Sequence, residues 1–328
     1  EVLALATYPT YDPTTFNRDY ESLSTDDRLP LFNRATDGVY APGSTFKLCT
    51  AVAALESGII TPTTTIRDQG VYTYYAYPQP KCWIYRQYGS THGSINVSQA
   101  ITESCNYFFY ETGRLTGIET IDNYATQFGL GRSTGIETGD SKGALASPEY
   151  AKANELEWTD GQTITAAIGQ SYNLFTPIQL ANYVATLVGD GEHYKAHLLK
   201  NVKSYDNSSM IYAYDEGPEN TVSISDSTLQ AVKKGMYGVA NSTLSSQFSR
   251  CIVTCGAKTG SAQVGTDIAN GTFVCFAPYD DPQIAVAVVI EKGGSGAALA
   301  GVAVDIVNAY FSREEIGTAI IGENTLIS

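Results

Sequence analysis

A chain of 328 residues, 43% of them hydrophobic and 16% charged, has ample length for a large folded core. Its formal net charge of −14 argues against nucleic acid or an anionic membrane surface as a partner. No run of about eighteen apolar residues occurs, so no spanning helix is expected.

The predicted elements begin with a strand over Val2–Thr7, left through the turn Tyr8-Pro9-Thr10-Tyr11-Asp12-Pro13. A polar excursion runs to Asn33. Pro42 and Gly43 then break the chain before a helix from Ser44 to Ser57, with Gly58 as its stop. Only Lys47 and Glu56 in that helix are charged, so it is expected to be central and buried. The stretch Thr61–Ser98 is tyrosine-rich and shows no helical period. A short helix from Ser98 delivers Ser104, and helices follow over Asn106–Thr116 and Ile121–Phe128. Together they read as a helical subdomain, about residues 59–190, inserted after the central helix. Pro177 belongs near the first position of a helix through Val188. Lys203–Val222 reads as a peripheral hairpin around Asn207-Ser208-Ser209, and Ser227–Ala240 as an amphipathic helix. Three strands follow, Ile252–Gln263, Thr272–Ala277 and Ile284–Glu291, then a closing helix Leu299–Phe311. The last strand is apolar on both faces, which predicts helices on both sides of the sheet. The architecture is α/β: an antiparallel sheet from the N-terminal strand and the three C-terminal strands, with a cleft against the helical lobe.

Ser44 and Lys47 lie three residues apart at the start of the central helix, on one face. A desolvated lysine can take a serine proton, and Ser44 sits where helix N–H groups are unpaired and can hold an oxyanion. The plain alternative is an N-cap serine and a snorkelling lysine. Two further stretches decide against it: Ser104-Cys105-Asn106 and Lys258-Thr259-Gly260. In the combined reading Ser44 is the nucleophile and Lys47 its base. Lys258 is a second cation that lowers the pKa of Lys47. Ser104 relays a proton, and Asn106 offers an amide to the lysine and to a substrate. Lys258-Thr259-Gly260 lies on an edge strand open to an added peptide strand, and glycine at 260 admits its backbone.

S-x-x-K, S-D-N and K-T-G form the signature of penicillin-binding proteins and class A β-lactamases, and the three stretches resemble it, with Cys105 as a departure in the second. Their surroundings extend the likeness: Tyr40-Ala41-Pro42-Gly43-Ser44-Thr45-Phe46-Lys47, His92-Gly93-Ser94-Ile95-Asn96-Val97, Gly169-Gln170-Ser171 and Phe276-Ala277-Pro278-Tyr279-Asp280-Asp281-Pro282. From about Leu3 to about Phe311 the chain resembles the catalytic domain of class B penicillin-binding proteins. The resemblance implies a β-lactamase/transpeptidase-like fold, an antiparallel five-stranded sheet covered by helices. It implies a serine D,D-transpeptidase that cross-links peptidoglycan stem peptides through an acyl-Ser44 intermediate and is acylated by β-lactams. The Thr259 and Ser261 hydroxyls would hold the substrate carboxylate, and the Ser261 N–H would join that of Ser44 as the oxyanion hole. No cofactor is required for this chemistry. The resemblance also implies a place on the extracytoplasmic face of the bacterial cell membrane and a glycosyltransferase partner. The membrane anchor and pedestal domain of such proteins are missing, so the chain reads as an excised domain. Alternatives are a serine β-lactamase, a D,D-carboxypeptidase, or a β-lactam sensor without turnover.

Six cysteines remain to be placed. Cys251 and Cys255, on an extended strand, would lie about 13 Å apart, too far to bridge. Cys275 on the next strand would oppose about Ser261. With Cys49 these read as small buried hydrophobes. Cys105, between Ser104 and Asn106, should point away from the cleft. With Cys82, His92 and Asp68 it offers two thiolates, an imidazole and a carboxylate, a donor set that suits a structural Zn²⁺. The alternative is two buried thiols and a core histidine.

Overall fold

The computed structural model describes residues 1–77, 79–263 and 268–315. At its centre is α1, Lys47–Glu56, in which every residue from Lys47 to Leu55 is buried. The helix starts later than the sequence suggests. Gly43–Phe46 is a single 3₁₀ turn, and Gly43 has φ +54°. At three residues per turn, Ser44 and Lys47 still stack on one side.

The segment expected to be irregular has more order than its composition shows. β1, Ile66–Asp68, pairs antiparallel with β2, Gly93–Ile95, with Asp68 opposite Gly93. Between them Trp83–Tyr88 forms a short helix stopped by Gly89 in the left-handed conformation. A helix over Val97–Thr102, closed by an Asn96/Gln99 capping box, leads to α2, Asn106–Thr116. The next helix is Ile118–Gln127 rather than Ile121–Phe128, because Gly117 allows an earlier start. α3 spans Pro177–Val188 with proline in its first turn, as read from the sequence, and a Thr176/Gln179 capping box closes its start. The peripheral hairpin is Asn201–Lys203 with Met210–Ala213, earlier than the expected Lys203–Val222, because Asn220–Thr221 pairs instead with Glu192–His193, and α4 covers Asp226–Gly238.

The main sheet is β3 (Gly256–Gln263), β4 (Ala269–Ala277) and β5 (Ile284–Ile290), all antiparallel in that order. Alternation along β4 explains its burial. Val274 and Phe276 enter the core built on α1, α2 and α3. Phe273, Cys275 and Ala277 enter a second core with Ala300, Ala303, Val304 and Val307 of α5, Ala300–Glu315. Helices therefore cover both faces, as expected.

Three expectations fail in this sheet. Val2–Thr7 forms no strand; Leu3 is 56% exposed. A strand needs a partner edge, and this segment's anchor lies elsewhere: the Val2 N–H bonds to the His197 carbonyl, and its side chain packs on Ile136, Ile178 and Ala196. Without it the main sheet has three strands among the described residues, where the residues predict four and the resemblance implies five. β3 begins at Gly256, because Cys251–Cys255 is bent rather than extended. Cys275 opposes Ala257, not Ser261, because β3 and β4 run on until Gln263 pairs with Ala269.

Candidate active site

Ser44, Ser104 and Lys258 come from three distant stretches and meet beside β3. The contact of β3 with the Ser44 turn is backbone against backbone. A Cβ on Gly43 would lie 2.9 Å from the Ser261 carbonyl oxygen, and one on Gly260 would lie 2.5 Å from the Pro42 oxygen. The Gly43 N–H bonds the Gly169 carbonyl at 2.9 Å, and Gln170 Nε2 donates to the Ser261 carbonyl at 3.4 Å. The N–H and C=O of one strand residue share an edge. The Ser261 N–H therefore points off the edge of β3 away from β4, on the side of the turn that carries Ser44.

Lys47 Nζ donates to the Ser104 carbonyl (2.8 Å), Ser104 Oγ (3.3 Å) and Asn106 Oδ1 (2.6 Å), and lies 5.6 Å from the centre of the Phe109 ring. Lys258 Nζ donates to the same Ser104 Oγ at 3.0 Å and to the Thr259 carbonyl at 3.2 Å. Both lysines are fully buried. Burial pulls Lys47 down to about 8, against a partial upward pull from Cys105 and Cys82. Lys258 is pushed well below the ordinary lysine range, first by burial and then by Lys47. Ser104 holds both lysines because its φ is +52°, a left-handed conformation uncommon for a residue with a side chain.

The structure therefore joins Lys47, Ser104, Asn106 and Lys258 by hydrogen bonds and sets the Gly260-Ser261 edge against the turn that carries Ser44. Ser104 and Asn106 meet the two lysines, and Gly260 abuts the turn that carries Ser44. Thr259 is partly buried and Ser261 exposed; Ser261 Oγ accepts from the Gly296 N–H at 3.2 Å. Phe109, beneath Lys47, was not anticipated. Its position three residues after Asn106 on one helix, hence on the same face, was the available signal.

Behind Ser104, Cys105 turns the other way. Asp68 Oδ2 lies 2.7 Å from His92 Nδ1, Cys82 Sγ 3.6 Å from the same nitrogen and 3.8 Å from Cys105 Sγ, and Cys105 Sγ 3.7 Å from Asp68 Oδ2. All four ligand atoms fall within 4.8 Å of one another. A tetrahedral ion with bonds of about 2.3 Å to sulfur and about 2.1 Å to nitrogen or oxygen puts two sulfurs about 3.8 Å apart and sulfur about 3.6 Å from nitrogen or oxygen. Three of the four distances match that figure; the Asp68–His92 pair is closer because it is hydrogen-bonded. Cys82 is drawn down to about 5, first by the hydrogen bond with Cys105, and Cys105 is pushed up by the same contact. The cluster can hold a metal ion.

A sheet backed by helices on both faces, with a serine turn, two buried lysines and an edge strand at one cleft, defines a β-lactamase-like α/β domain. The chain belongs to the penicillin-binding protein transpeptidase domain family, whose model matches residues 1–311. It is similar to the peptidoglycan D,D-transpeptidase MrdA of Escherichia coli K12, at 35% identity over 325 residues, covering 91% of this chain and 50% of that protein. It thus spans about half the length of the curated relatives it matches. Among solved structures it is similar to Pseudomonas aeruginosa PBP2 in complex with WCK 5153, at 29% identity and TM-score 0.81, covering all of this chain and 73% of that one. A chain from a peptidoglycan synthase complex, described as coordinating polymerization and crosslinking, matches at 28% identity and TM-score 0.80, covering 93% and 52%. Among the described residues no helix is long and apolar enough to cross a membrane.

Proposed function

We propose that the chain is the catalytic domain of a peptidoglycan D,D-transpeptidase working through an acyl-Ser44 intermediate. The observation that carries this reading is the single hydroxyl of Ser104 shared by two buried lysines, beside the Ser44 turn and an open strand edge. Ser44 Oγ attacks the D-Ala–D-Ala carbonyl while neutral Lys47 takes its proton. The Ser44 and Ser261 N–H groups receive the oxyanion. The stem peptide lies along β3 as an added strand, its carboxylate on the Thr259 and Ser261 hydroxyls. Ser104 passes the proton from Lys47 to the departing D-alanine amine. The amine of a second stem peptide then attacks the ester, loses its proton through the same groups and releases Ser44. A β-lactam acylates Ser44 by the same first step and stays.

Residues about 59–190 act as the helical subdomain that forms the far wall of the cleft. Asp68, Cys82, His92 and Cys105 hold a structural Zn²⁺ that ties the β1–β2 ribbon to the start of α2; no step of the reaction runs through it. The full protein works at the extracytoplasmic face of the membrane beside a glycan-polymerising glycosyltransferase, in keeping with the synthase complex to which this chain is similar.

Two measurements test the reaction. Intact mass after penicillin treatment should rise by one penicillin, and Ser44→Ala should gain nothing. A stem-peptide thioester with an added D-amino acid should give the aminolysis product. Hydrolysis alone would make the domain a carboxypeptidase or β-lactamase, and acylation with no turnover of either kind would make it a sensor. Metal analysis of protein purified without chelator should find about one zinc per chain, lost in Cys82→Ser with His92→Ala.

A further inference from the structure

Cys251 and Cys255 lie outside the cleft and the metal cluster, just before the strand that carries Lys258. Their Sγ atoms are 3.4 Å apart and unbonded. The segment between them is bent, so the extended spacing that would keep them apart does not apply. The surrounding backbone is held from several sides. The Cys251 N–H bonds the Phe248 carbonyl at 2.9 Å, and the Ile252 N–H bonds Asn308 Oδ1 at 2.9 Å. The Thr254 carbonyl accepts from the Tyr279 N–H at 2.8 Å. A disulfide needs about 2.05 Å between sulfurs, so bonding requires an approach of about 1.3 Å.

We propose that Cys251 and Cys255 are a thiol–disulfide pair that closes to an intrachain disulfide and braces the start of β3. The two cysteines differ in the way such a step requires. Cys251 is partly exposed, and its hydrogen bond with Cys255 draws it down to about 7; Cys255 is 1% exposed and pushed upward. The oxidant is a disulfide, either a small one such as oxidised glutathione or an oxidoreductase. The Cys251 thiolate attacks one of its sulfurs, forming a mixed disulfide and releasing the first thiolate. Cys255 gives up its proton and attacks Cys251 Sγ, expelling the second thiolate. Two protein thiols become one disulfide, and the oxidant becomes two thiols. The closed loop ends one residue before Gly256 and three before Lys258.

The test uses the full chain equilibrated with excess oxidised glutathione, trapped with iodoacetamide and cut with trypsin. Cleavage after Arg250 and Lys258 leaves both cysteines on one peptide, 251–258. That peptide should be unalkylated and about 2 Da lighter than its dithiol form, having lost two hydrogens. The oxidised chain should melt roughly 2–5 °C above the reduced one, as expected for a short loop in a domain of this size. Cys255→Ser should instead accumulate one glutathione on Cys251, because no thiol remains to resolve it. Alkylation of both cysteines in wild type, a persistent glutathione adduct there, or a link to the peptide carrying Cys275 would overturn the proposal. So would a Tm unmoved by the link. The peptide map is read on wild-type protein, so it stands even if a variant does not fold.

Discussion

Gly260→Ala tests how closely the strand edge must approach the nucleophile. The new Cβ would sit 2.5 Å from the Pro42 oxygen, 3.2 Å from Thr45 Cγ2 and 3.3 Å from Thr272 Cβ. The nearest of these is backbone and cannot rotate away. Reaching even 3.0 Å takes a shift of about 0.5 Å, and ordinary van der Waals contact nearer 1 Å. Thr272 blocks retreat from the other side, so the shift falls on the gap between β3 and the Ser44 turn. That gap is where the Ser44 and Ser261 N–H groups must converge on one oxygen. A displacement of about 1 Å at a reacting centre costs about 10²-fold in rate. The assay is the second-order rate of acylation by a fluorescent penicillin, with Tm measured alongside. Acylation should fall by about 10²-fold, with a loss of about 1–3 kcal/mol from overpacking. Wild-type acylation with an unchanged Tm would mean that the two backbones do not meet as described, and the oxyanion geometry inferred from Ser261 would go with it.

Four other outcomes follow from the same contacts. Acylation should rise with pH to a midpoint near 8, because Lys47 must be neutral to accept the Ser44 proton and is protonated below that value. Asn106→Asp, which puts a carboxylate 2.6 Å from Lys47 Nζ, should move that midpoint upward and slow acylation at pH 7. Ser104→Gly relieves a positive φ but takes a hydrogen-bond acceptor from two buried lysines, so its two effects on stability oppose each other, while acylation should slow about 10²-fold through loss of the shared hydroxyl. Prolonged chelation should lower Tm by several degrees and zinc should restore it; a chelator-insensitive Tm would leave Asp68, Cys82, His92 and Cys105 as a hydrogen-bonded cluster.

The site was more legible than the sheet, for a physical reason. In the proposed reaction Ser44, Lys47, Ser104, Asn106 and Lys258 are fixed by what the chemistry demands of each side chain, and such demands show as residue types at short spacings. Pro177 was legible because proline is favoured in the first turn of a helix, a signal carried by one residue. Strand identity is not local in that way. Val2–Thr7 has the composition of a strand, yet its N–H goes to His197, and nothing within the segment specifies which edge it will find. Cys251–Cys255 failed for the complementary reason: a bend before Gly256 shortens the span, and no glycine or proline lies between those cysteines to announce it. The grouping of Asp68, Cys82, His92 and Cys105 was legible by donor type and by the alternation around Cys105. Its geometry depends on the β1–β2 register, which places Asp68 beside His92 and is set by pairing across more than twenty residues.

The left-handed turn at Ser104 explains why one serine can serve two lysines, and the distances fix the consequence. Bonds of 3.3 and 3.0 Å to one oxygen put the two ammonium groups no more than about 6.3 Å apart. At an effective dielectric of about 20, two unit charges at that separation repel by at least about 2.6 kcal/mol, close to two pK units. Burial adds to this for both. Repulsion and burial therefore act together against a doubly protonated pair and favour a neutral amine in the resting site. Ser104 Oγ can accept from the charged lysine while donating to the neutral one, so a proton crosses between them by reversing one hydroxyl. An apolar or amide side chain at position 104 would break that path, and a glycine would open it to water. The strained backbone is thus tied to the chemistry: it is the conformation in which the Ser104 carbonyl anchors Lys47 while the hydroxyl remains free to turn between the two amines.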